Sequence, residues 1–562
     1  MSSHSEPVWQ TAVRLGLYGG AAALLFALVG MVQTFQARAI IGGLLTLGQA
    51  FLLLTVGLTA YLAAGRVHLE GRSAMLLAGG LAGLVSSLLL ALLALFMAAV
   101  PSVRTVLVSA SPELLAILTF GQSAAVGVLL WIVLGVVLGL VVASLLLLRP
   151  AVRATVLAVI GAVLLVGLLA DLLRLITSGW GGLGGLFTWM FSGKGLSLPG
   201  TLAVIAVVVL VSVIRARRPL ARSAAAPTPA QRYTRLAVAS LLLAVMPLVL
   251  GTYMAEVLDQ VGIFILMGLG LNIVVGFAGL LDLGYVGFFA IGAYVMGILT
   301  SPELHSYNFS WWAALPLAVG LTILAGVILG IPVLKVRGDY LAIITLGFGE
   351  IIRLLALSDA LKGFTGGPQG IQLIAKPALG GFVFNDQVRL YYLLLLGCLL
   401  VGFIAIRLRD SRLGRAWMAM REDEDVAQAI GINLVTTKLL AFASGAAFAG
   451  FAGAIFAAKV GAVYPQSFGF LISINVLALI IIGGLGSLPG VVVGALALVG
   501  LPELLREFAE YRLLVYGIVL VVMMLYRPEG LWPEAARRRE LRAAEPPAEV
   551  AEPPLPAERS AS

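Results

Sequence analysis

The sequence predicts an all-α, polytopic integral membrane protein. Of its 562 residues, 61% are hydrophobic and only 11% are charged, whereas a soluble domain carries roughly 25% charged residues. The apolar residues are gathered into runs of about 20, the length that one α-helix needs to cross the hydrocarbon core of a bilayer. The net charge of +9 collects in the loops between these runs. It therefore indicates membrane orientation rather than a nucleic-acid surface.

Residues 1–214 predict an N-terminal membrane extension of about six transmembrane helices. The expected spans are 15–32, 40–64, 75–100, 125–148, 155–176 and 201–214. The connector before the sixth span is rich in glycine and in aromatic residues such as Trp180 and Trp189, which favour the level of the lipid headgroups. The basic, Pro/Ala-rich stretch 215–235 follows and is predicted to be a cytoplasmic linker.

Residues 236–532 predict a second membrane domain of about ten spans. The expected spans are 236–254, 257–279, 283–300, 311–334, 340–357, 390–406, 436–458, 472–485, 488–505 and 513–526. Counted from a cytoplasmic linker, they return the basic region 407–438 and both termini to the cytoplasm, and they put the Gly/Pro-rich loop 358–389 outside. Span 472–485 is short enough to be broken or tilted. The tail 533–562 is predicted to be disordered and cytoplasmic.

An island of charge, the charged segment (410–431), interrupts this apolar sequence. From Ser411 onward its spacing is helical, which predicts short helices with one apolar side. The expected apolar residues are Leu413, Ala416, Trp417, Met420, Ala427 and Ile430. Composition alone fits a solvated loop, while the position between spans also fits an amphipathic element that receives a push from a cytoplasmic motor.

Several polar residues fall inside predicted spans, where they are costly. Asn272 has glycines on both sides, which fits either helix–helix contact or a helix break that faces a substrate path. Glu350 and Arg353 lie three residues apart, and this spacing predicts an ion pair on one helix face. Asp171 and Arg174 have the same spacing and the same expectation.

Other features narrow the possible functions. The glycine-rich run 483–490 fits a break within the bilayer or a hairpin between two spans, and the count of crossings favours the hairpin. The single cysteine, Cys398, excludes an intrachain disulfide, and the three histidines are scattered, so no metal site is expected. Gly193 and Lys194 lack the spacing of a phosphate-binding loop. Enzyme chemistry, a bound cofactor and nucleic-acid binding are therefore not predicted.

Five motifs follow one another in the second domain. They are GLGLNIVVGFAGLL with DLGYVGFFAIGA at 268–293, LKVRGDYLAIITLGFGEIIR at 334–353, TGGPQGI at 365–371, LGRAWMAMRED at 413–423 and the small-residue run AAFAGFAG at 446–453. In this order they resemble the LivM type of branched-chain amino acid ABC transporter permease, over about 236–532. The N-terminal extension lies outside the resemblance.

The resemblance implies a subunit of an ATP-driven importer in a bacterial or archaeal inner membrane. A LivH-like second permease, two ATPase subunits and a periplasmic or external substrate-binding protein would be its partners, and ATP would bind to the ATPase subunits alone. The charged segment would enter a groove of one ATPase. Its expected coupling residues are Leu413, Gly414, Arg415, Ala416, Arg421, Glu422, Asp423 and Gly431. Among them, the charged residues would anchor the segment, and Gly414 and Ala416 would allow close docking.

Two further sets of residues complete the expectation. Candidates for the translocation path are Asn272, Gly276, Gly279, Thr345 and Glu350. Candidates for docking of the binding protein are Thr365, Gly366, Gly367 and Pro368. The resemblance leaves open a permease for urea or short amides on the same framework, and the residues leave open a proton-coupled secondary transporter that uses Glu350 and Arg353. The extension could stabilise the permease, bind lipid or another subunit, or have an activity of its own.

Overall fold

The computed structural model describes residues 7–504, except 68–69, 101, 103–106, 108, 179, 194, 218–228, 304–306, 335 and 337, together with 517, 521, 525 and 529–533. Within these residues, twelve helices are long and apolar enough to cross a membrane, and the six strands are only two or three residues long. The chain is thus an all-α, multi-pass membrane protein. It divides into two units, Met1–Tyr233 and Thr234–Ser562.

The first unit combines helices with one small sheet. Its helices are α1 (Val8–Leu28), α2 (Met31–Gln36), α3 (Leu47–Arg66), α4 (Arg72–Ala99), α5 (Pro112–Leu118), α6 (Ala124–Leu147), α7 (Pro150–Leu168), α8 (Ala170–Ser178) and α9 (Leu198–Arg217), with a 3-10 helix over Gly181–Met190. Its strands are β1 (Ala39–Ile41), β2 (Leu45–Thr46), β3 (Phe191–Ser192) and β4 (Gly195–Leu196). They pair in the order β2-β1-β4-β3, with β1 and β4 parallel.

Each of the six predicted spans of this unit coincides with a long apolar helix. The first span ends four residues early, because Gly30 takes a left-handed conformation with a φ of 92° and starts α2. The second begins seven residues late, because residues 39–46 form the β1–β2 hairpin. Thr46 then caps α3, and its Oγ1 accepts a hydrogen bond from the Gln49 amide at 3.3 Å. The fifth span is interrupted between α7 and α8.

Small residues bring α4 and α6 into backbone contact. A Cβ added to Gly83 would lie 2.3 Å from the carbonyl oxygen of Gly135, and one added to Gly139 would lie 2.3 Å from that of Gly79. Gly79 and Gly83 lie four residues apart on α4, and Gly135 and Gly139 lie four residues apart on α6. Each helix therefore presents one stripe of small residues to the other. Such stripes let helices associate in lipid, where the hydrophobic effect between them is absent.

The predicted ion pair between Asp171 and Arg174 is wrong. Asp171 Oδ2 instead pairs with Arg38 at 3.2 Å, and that guanidinium also donates to the Leu168 carbonyl at 2.9 Å. Arg174 donates to the Gly193 carbonyl at 3.1 Å. The i,i+3 spacing makes a pair possible, but Arg38 anchors the end of α7, and a partner 133 residues away leaves no local sequence signal.

The second unit combines long membrane helices with several short helices and turns. Its helices are α10 (Pro229–Leu271), α11 (Val286–Thr300), α12 (Trp311–Val333), α13 (Asp339–Leu357), α14 (Lys362–Thr365), α15 (Gln387–Arg409), α16 (Arg412–Glu422), α17 (Glu424–Ala429), α18 (Leu434–Val460), α19 (Phe470–Gly483), α20 (Leu488–Ala495) and α21 (Leu501–Leu504). Asn272–Phe277 and Leu496–Gly500 are π-helical, and Asp359–Leu361, Gly367–Gln369 and Pro465–Phe468 are 3-10 turns. Strands β5 (Ala378–Leu379) and β6 (Phe382–Val383) pair with each other.

Nine of the ten predicted spans of this unit fall on described helices, and span 513–526 lies largely outside the described residues. The first two spans are one continuous helix by hydrogen bonding, but Gly251 breaks it with a φ of 79°. Helix α15 packs on both sides of that break: the Tyr391 hydroxyl donates to the Leu243 carbonyl, and the Cys398 thiol donates to that of Gly262. The chain therefore bends near Gly251, between the two predicted spans.

The glycine-rich run 483–490 forms the predicted hairpin, between α19 and α20. Ser487 caps α20 through a hydrogen bond from the Gly490 amide at 3.1 Å. In the centre of the unit, α18 crosses α11 and α12 closely, because a Cβ on Gly453 would lie 2.2 Å from the Phe289 carbonyl oxygen and one on Gly450 would clash with Thr322. The unusual run of small residues at 446–453 is explained by these two crossings.

We expect G83L to destabilise the protein, because the new side chain meets the Gly135 carbonyl, which the helix backbone holds in place. Overpacking of this kind costs typically 1–3 kcal/mol. The matched control is G161L in α7, where a Cβ has no described atom within 4 Å. The measurement is the fraction of monodisperse detergent-purified chain that survives a temperature ramp. Equal survival of G83L and G161L would contradict the packing described.

Candidate functional site

The charged segment folds into two short helices, α16 and α17, between the ends of α15 and α18. Ser411 caps α16, with its Oγ accepting from the Gly414 amide at 3.2 Å. Asp423 separates the helices and caps α17, with its Oδ1 accepting from the amides of Asp425 and Val426 at 2.8 and 2.9 Å. Gly431, with a φ of 93°, follows the end of α17. Both predicted short helices are thus present, and their starts are fixed by side-chain caps.

One face of the segment is buried against the membrane helices. Trp417 is fully buried, and its indole N–H donates to the Thr437 carbonyl at 2.9 Å. Met420 and Ala427 are also buried. Ile430, expected on the same side, is instead 69% exposed. The helical pattern stops at Ala429, so Ile430 no longer follows the periodicity that placed it inside.

A buried ion pair holds α17 to α18. The Nζ of Lys438 lies 2.8 Å from Glu424 Oε1, and the two side chains are only 3% and 20% exposed. A lone charge at Lys438 would be costly in this position, so the pair fixes the second half of the segment. Sequence reasoning missed this contact. The signal was a lysine just inside an apolar helix, fourteen residues beyond an acidic cluster.

Gly414 and Arg421 contact the membrane helices of this chain rather than the outer surface of the segment. A Cβ on Gly414 would lie 2.2 Å from the Arg409 carbonyl oxygen, so this glycine allows α16 to turn back against the end of α15. Arg421 donates to the Gly276 carbonyl at 2.6 Å. Its side chain also fills the space beside Gly279, where a Cβ would lie 2.9 Å from the Arg421 Cγ. Gly279 has a φ of 72°, which permits the backbone to curve around the arginine.

The Gly276 carbonyl that accepts from Arg421 lies near the end of a π-helix. In Asn272–Phe277 each turn is wider, and the Ala278 amide bonds to the Ile273 carbonyl at 3.0 Å. Asn272 is fully buried, and its Oδ1 accepts from the Gly486 amide of the α19–α20 hairpin at 2.9 Å. Asn272, Gly276 and Gly279 therefore lie between the hairpin and the charged segment. Sequence reasoning had no signal for the π-helix.

The remaining exposed side chains of the segment point away from the membrane helices. Arg415, Glu422, Val426 and Ile430 are exposed, and Val426 and Ile430 are 57% and 69% exposed respectively. Leu413 and Ala416 are half-buried. Next to the segment, Arg409 holds the pKa of the exposed Asp410 carboxyl below its usual value through a hydrogen bond. The outer face of the segment thus mixes charge with unpartnered apolar surface.

A cleft of about 220 Å³ opens beside α13. It is lined by the start of α11, the middle of α13 and the 465–470 region, and we call it the Glu350 cleft: Leu283, Val286, Leu346, Gly349, Glu350, Phe468 and Phe470. The predicted ion pair is present at its edge, with Arg353 Nε donating to both Glu350 carboxylate oxygens at 3.1 and 3.0 Å. Phe468 and Phe470 were not among the predicted site residues.

Thr345 and Asp282 support the wall of this cleft. Thr345 is fully buried, and its Oγ1 accepts from the Leu283 amide at 3.0 Å. Asp282 is fully buried in the turn before α11, and its Oδ1 accepts from the Gly284 amide at 2.9 Å. Burial raises the pKa of the Asp282 carboxyl to about 7. Thr345 therefore holds the backbone that carries Leu283 into the cleft.

The loop at 365–370 lies at the opposite end of the unit from the charged segment. Thr365 Oγ1 donates to the Ala356 carbonyl at 3.0 Å, and Gly366 and Gly367 are buried. Pro368 is exposed. Next to the loop, Ile371 and Val463 exchange two backbone hydrogen bonds of 2.9 and 2.8 Å. Of the four predicted docking residues, Pro368 is thus the one most open to a partner.

Membrane-length helices, a cleft partway along a span and a charged segment at one end of the second unit are features that suit a membrane transport protein. Residues 253–524 match the family described as branched-chain amino acid transport system, permease component. The chain is 43% identical to the high-affinity branched-chain amino acid transport system permease protein LivM of Salmonella typhimurium over 50% of this chain and 70% of that protein. The corresponding figures for LivM of Escherichia coli K12 are 43%, 53% and 74%.

The chain therefore belongs to the branched-chain amino acid transport permease family. It is also 26% identical to the permease protein LivH of Salmonella typhimurium, over 48% of this chain and 90% of that protein. The chain is thus similar to two differently named permease proteins of Salmonella typhimurium, LivM and LivH. No solved structure matches it significantly.

We expect E424Q to destabilise the protein, because it leaves the buried ammonium of Lys438 without its charged partner. Removing one member of a buried ion pair costs on the order of 3 kcal/mol. The control is E422Q, which changes an exposed glutamate two residues away. Limited proteolysis between α16 and α18 measures local opening. Cleavage of E424Q at the E422Q rate would show that the pair does not hold the segment.

Proposed function

We propose that this chain is one of two permease subunits of an ATP-driven importer for branched-chain amino acids in a bacterial or archaeal inner membrane. The observation that carries the proposal is the charged segment. It is fixed to the membrane helices by Trp417, the Lys438–Glu424 pair and Arg421, yet it leaves charged and apolar side chains exposed. Rigid attachment on one face and an unpartnered mixed face on the other suit an element that docks into a partner and transmits force.

The ATPase is the partner that this surface fits best. Arg415 and Glu422 would form charged contacts at the rim of a groove, while Val426 and Ile430 would enter it. Gly414 and Arg421 would act on the inner side of the segment, since Gly414 packs against the Arg409 carbonyl and Arg421 bonds to the Gly276 carbonyl, while Asp423 would hold the start of α17. This assigns docking to the outer face of the segment and transmission to the inner face.

The charge distribution supports a cytoplasmic position for the segment. It joins the end of α15 to the start of α18 and lies at the same end of the unit as the 483–490 hairpin, with Arg407, Arg409, Arg412 and Arg415 close together in sequence. Positive residues in short loops favour the cytoplasmic side. The opposite end, with Pro368 exposed, would then meet an external substrate-binding protein.

The substrate path would run through the Glu350 cleft, with Thr345 supporting its wall. Asn272, Gly276 and Gly279 would contribute less directly, by linking the π-helix to the hairpin and to Arg421. Outward and inward states would differ in how α13 and the π-helix pack, and ATP-driven movement of the segment would select between them.

The first test is docking. The chain is co-expressed with a LivH-like permease, the ATPase subunits and the binding protein. We expect I430D to reduce ATPase co-purification at least about tenfold, because burying a charge at an interface centre is costly. L379D, a matched substitution of a leucine 59% exposed in β5, is expected to retain the ATPases. Equal retention by both variants would remove the segment from the docking surface.

The second test separates transmission from docking. R421Q loses the charged hydrogen bond to Gly276, and we expect the ATPases to remain bound while amino acid taken up per ATP hydrolysed falls at least about threefold. R412Q changes an exposed arginine of α16 and is expected to keep the wild-type ratio. Uptake and hydrolysis are measured together in proteoliposomes. An unchanged ratio in R421Q would contradict transmission through this contact.

A further inference from the structure

The ion pair at the Glu350 cleft lies far inside a membrane helix. Glu350 is the eleventh of the 18 residues in the span Tyr340–Leu357. At a rise of 1.5 Å per residue it lies roughly 15 Å from one end and 10 Å from the other. Even so, the side chains of Glu350 and Arg353 are 45% and 27% exposed. Glu350 is thus charged, accessible and about 10 Å from the nearer helix end, while Arg353 lies about 6 Å from that end.

An ion pair that faces lipid raises the free energy of the folded protein. Charged groups in the bilayer face a protein interior or a water-filled cavity. The cleft provides that cavity for Glu350, which is one of its lining residues, and Arg353 lies just outside the lining and is joined to the cleft through its pair with Glu350. The described hydrogen bonds of the Arg353 guanidinium go to Glu350, so the pair ties no second helix to α13. Its position is that of a group which meets a solute rather than one which holds the bundle together.

The rest of the cleft is apolar. Leu283, Val286 and Leu346 provide aliphatic surface, and Phe468 and Phe470 provide aromatic surface. Its volume of about 220 Å³ is below the 300–1,000 Å³ that is typical of sites for drug-sized ligands. The cleft therefore suits one small solute with an apolar body and a charged end that reaches the ion pair.

We propose that Glu350 and Arg353 form a recognition site for the zwitterionic head of an α-amino acid, with the aliphatic side chain in the apolar part of the cleft. This rests on the proposed transport function and adds to it the groups that select the substrate. The substrate carboxylate takes the place of Glu350 at the guanidinium of Arg353, which can bind it through two parallel hydrogen bonds. The substrate ammonium pairs with the released Glu350 carboxylate. Each charge exchanges one partner for another, and the net charge in the cleft does not change.

The exchange selects against related solutes. A carboxylic acid without the ammonium would open the pair and leave Glu350 unpaired, and an amine without the carboxylate would leave Arg353 unpaired. An unpaired charge in a partly desolvated site costs more than the lost contact itself. Neutral amides offer neither charge. The site would therefore favour zwitterions with branched aliphatic side chains.

The test uses the full complex with a cysteine in the cleft. Cys398 is replaced by alanine, L346C is introduced, and maleimide labelling is followed in proteoliposomes. We expect L-leucine to slow labelling at least threefold, and 4-methylpentanoate and 3-methylbutylamine, which lack the ammonium and the carboxylate respectively, not to slow it. E350Q and R353Q are expected to abolish the protection and to raise the leucine concentration for half-maximal uptake by about 10- to 100-fold. R353K, which keeps the charge, should recover part of it.

The control is D386N. Asp386 and Arg389 form another i,i+3 pair, 3.3 Å apart, at the exposed start of α15. This variant is expected to keep protection and uptake at wild-type values. If the wild-type complex takes up leucine but E350Q and R353Q behave like D386N, the zwitterion site is overturned while the transport function stands. If the wild-type complex takes up urea or a short amide and not leucine, the substrate class in the proposed function and the zwitterion site both fail.

Discussion

The hydrogen bond from Arg421 to the Gly276 carbonyl is the contact on which the functional half of this structure depends. A π-helix frees backbone groups at its ends, and inside a membrane protein those groups need partners. Here the partner comes from the charged segment rather than from a neighbouring span. The local backbone geometry of the spans is therefore completed by an element outside them. A displacement of α16 changes the environment of the π-helix directly, without an intervening chain of side chains.

Polar side chains join this region to two other parts of the unit. Asn272 joins the π-helix to the 483–490 hairpin, and Arg421 joins it to the charged segment. The 483–490 hairpin and the charged segment thus both contact the π-helix, and three separate stretches of sequence meet there. Elsewhere in the unit, helices are held by backbone contact at glycines, as where α18 crosses α11 at Gly453. Packing of small residues fixes the helix crossings, while the few polar contacts join the π-helix to the hairpin and to the charged segment.

The sequence predicted the spans well because their signal is composition over about 20 residues, which tertiary contacts rarely override. It also placed the charged segment and the Glu350–Arg353 pair, since both depend on helical spacing. It failed where the deciding contact is remote and where a helix ends sooner than its apolar pattern indicates. Arg38 takes Asp171 away from Arg174, and the end of α17 at Ala429 leaves Ile430 exposed. A π-helix of six residues differs from an α-helix by one residue per turn, which is too little to change the apolar pattern.

One feature of the first unit bears on how the protein is made. Strand β1 pairs in parallel with β4, so Ile41 lies beside Leu196, which is 155 residues later in the chain. At about 5–20 residues per second, a ribosome needs roughly 8–31 s to cover that distance. During this interval four apolar helices enter the bilayer while one edge of β1 has no partner. Completion of this small sheet therefore requires that the four membrane-length helices between β1 and β4 have been made, and a chain that ends before Gly195 would keep one edge of β1 unpaired.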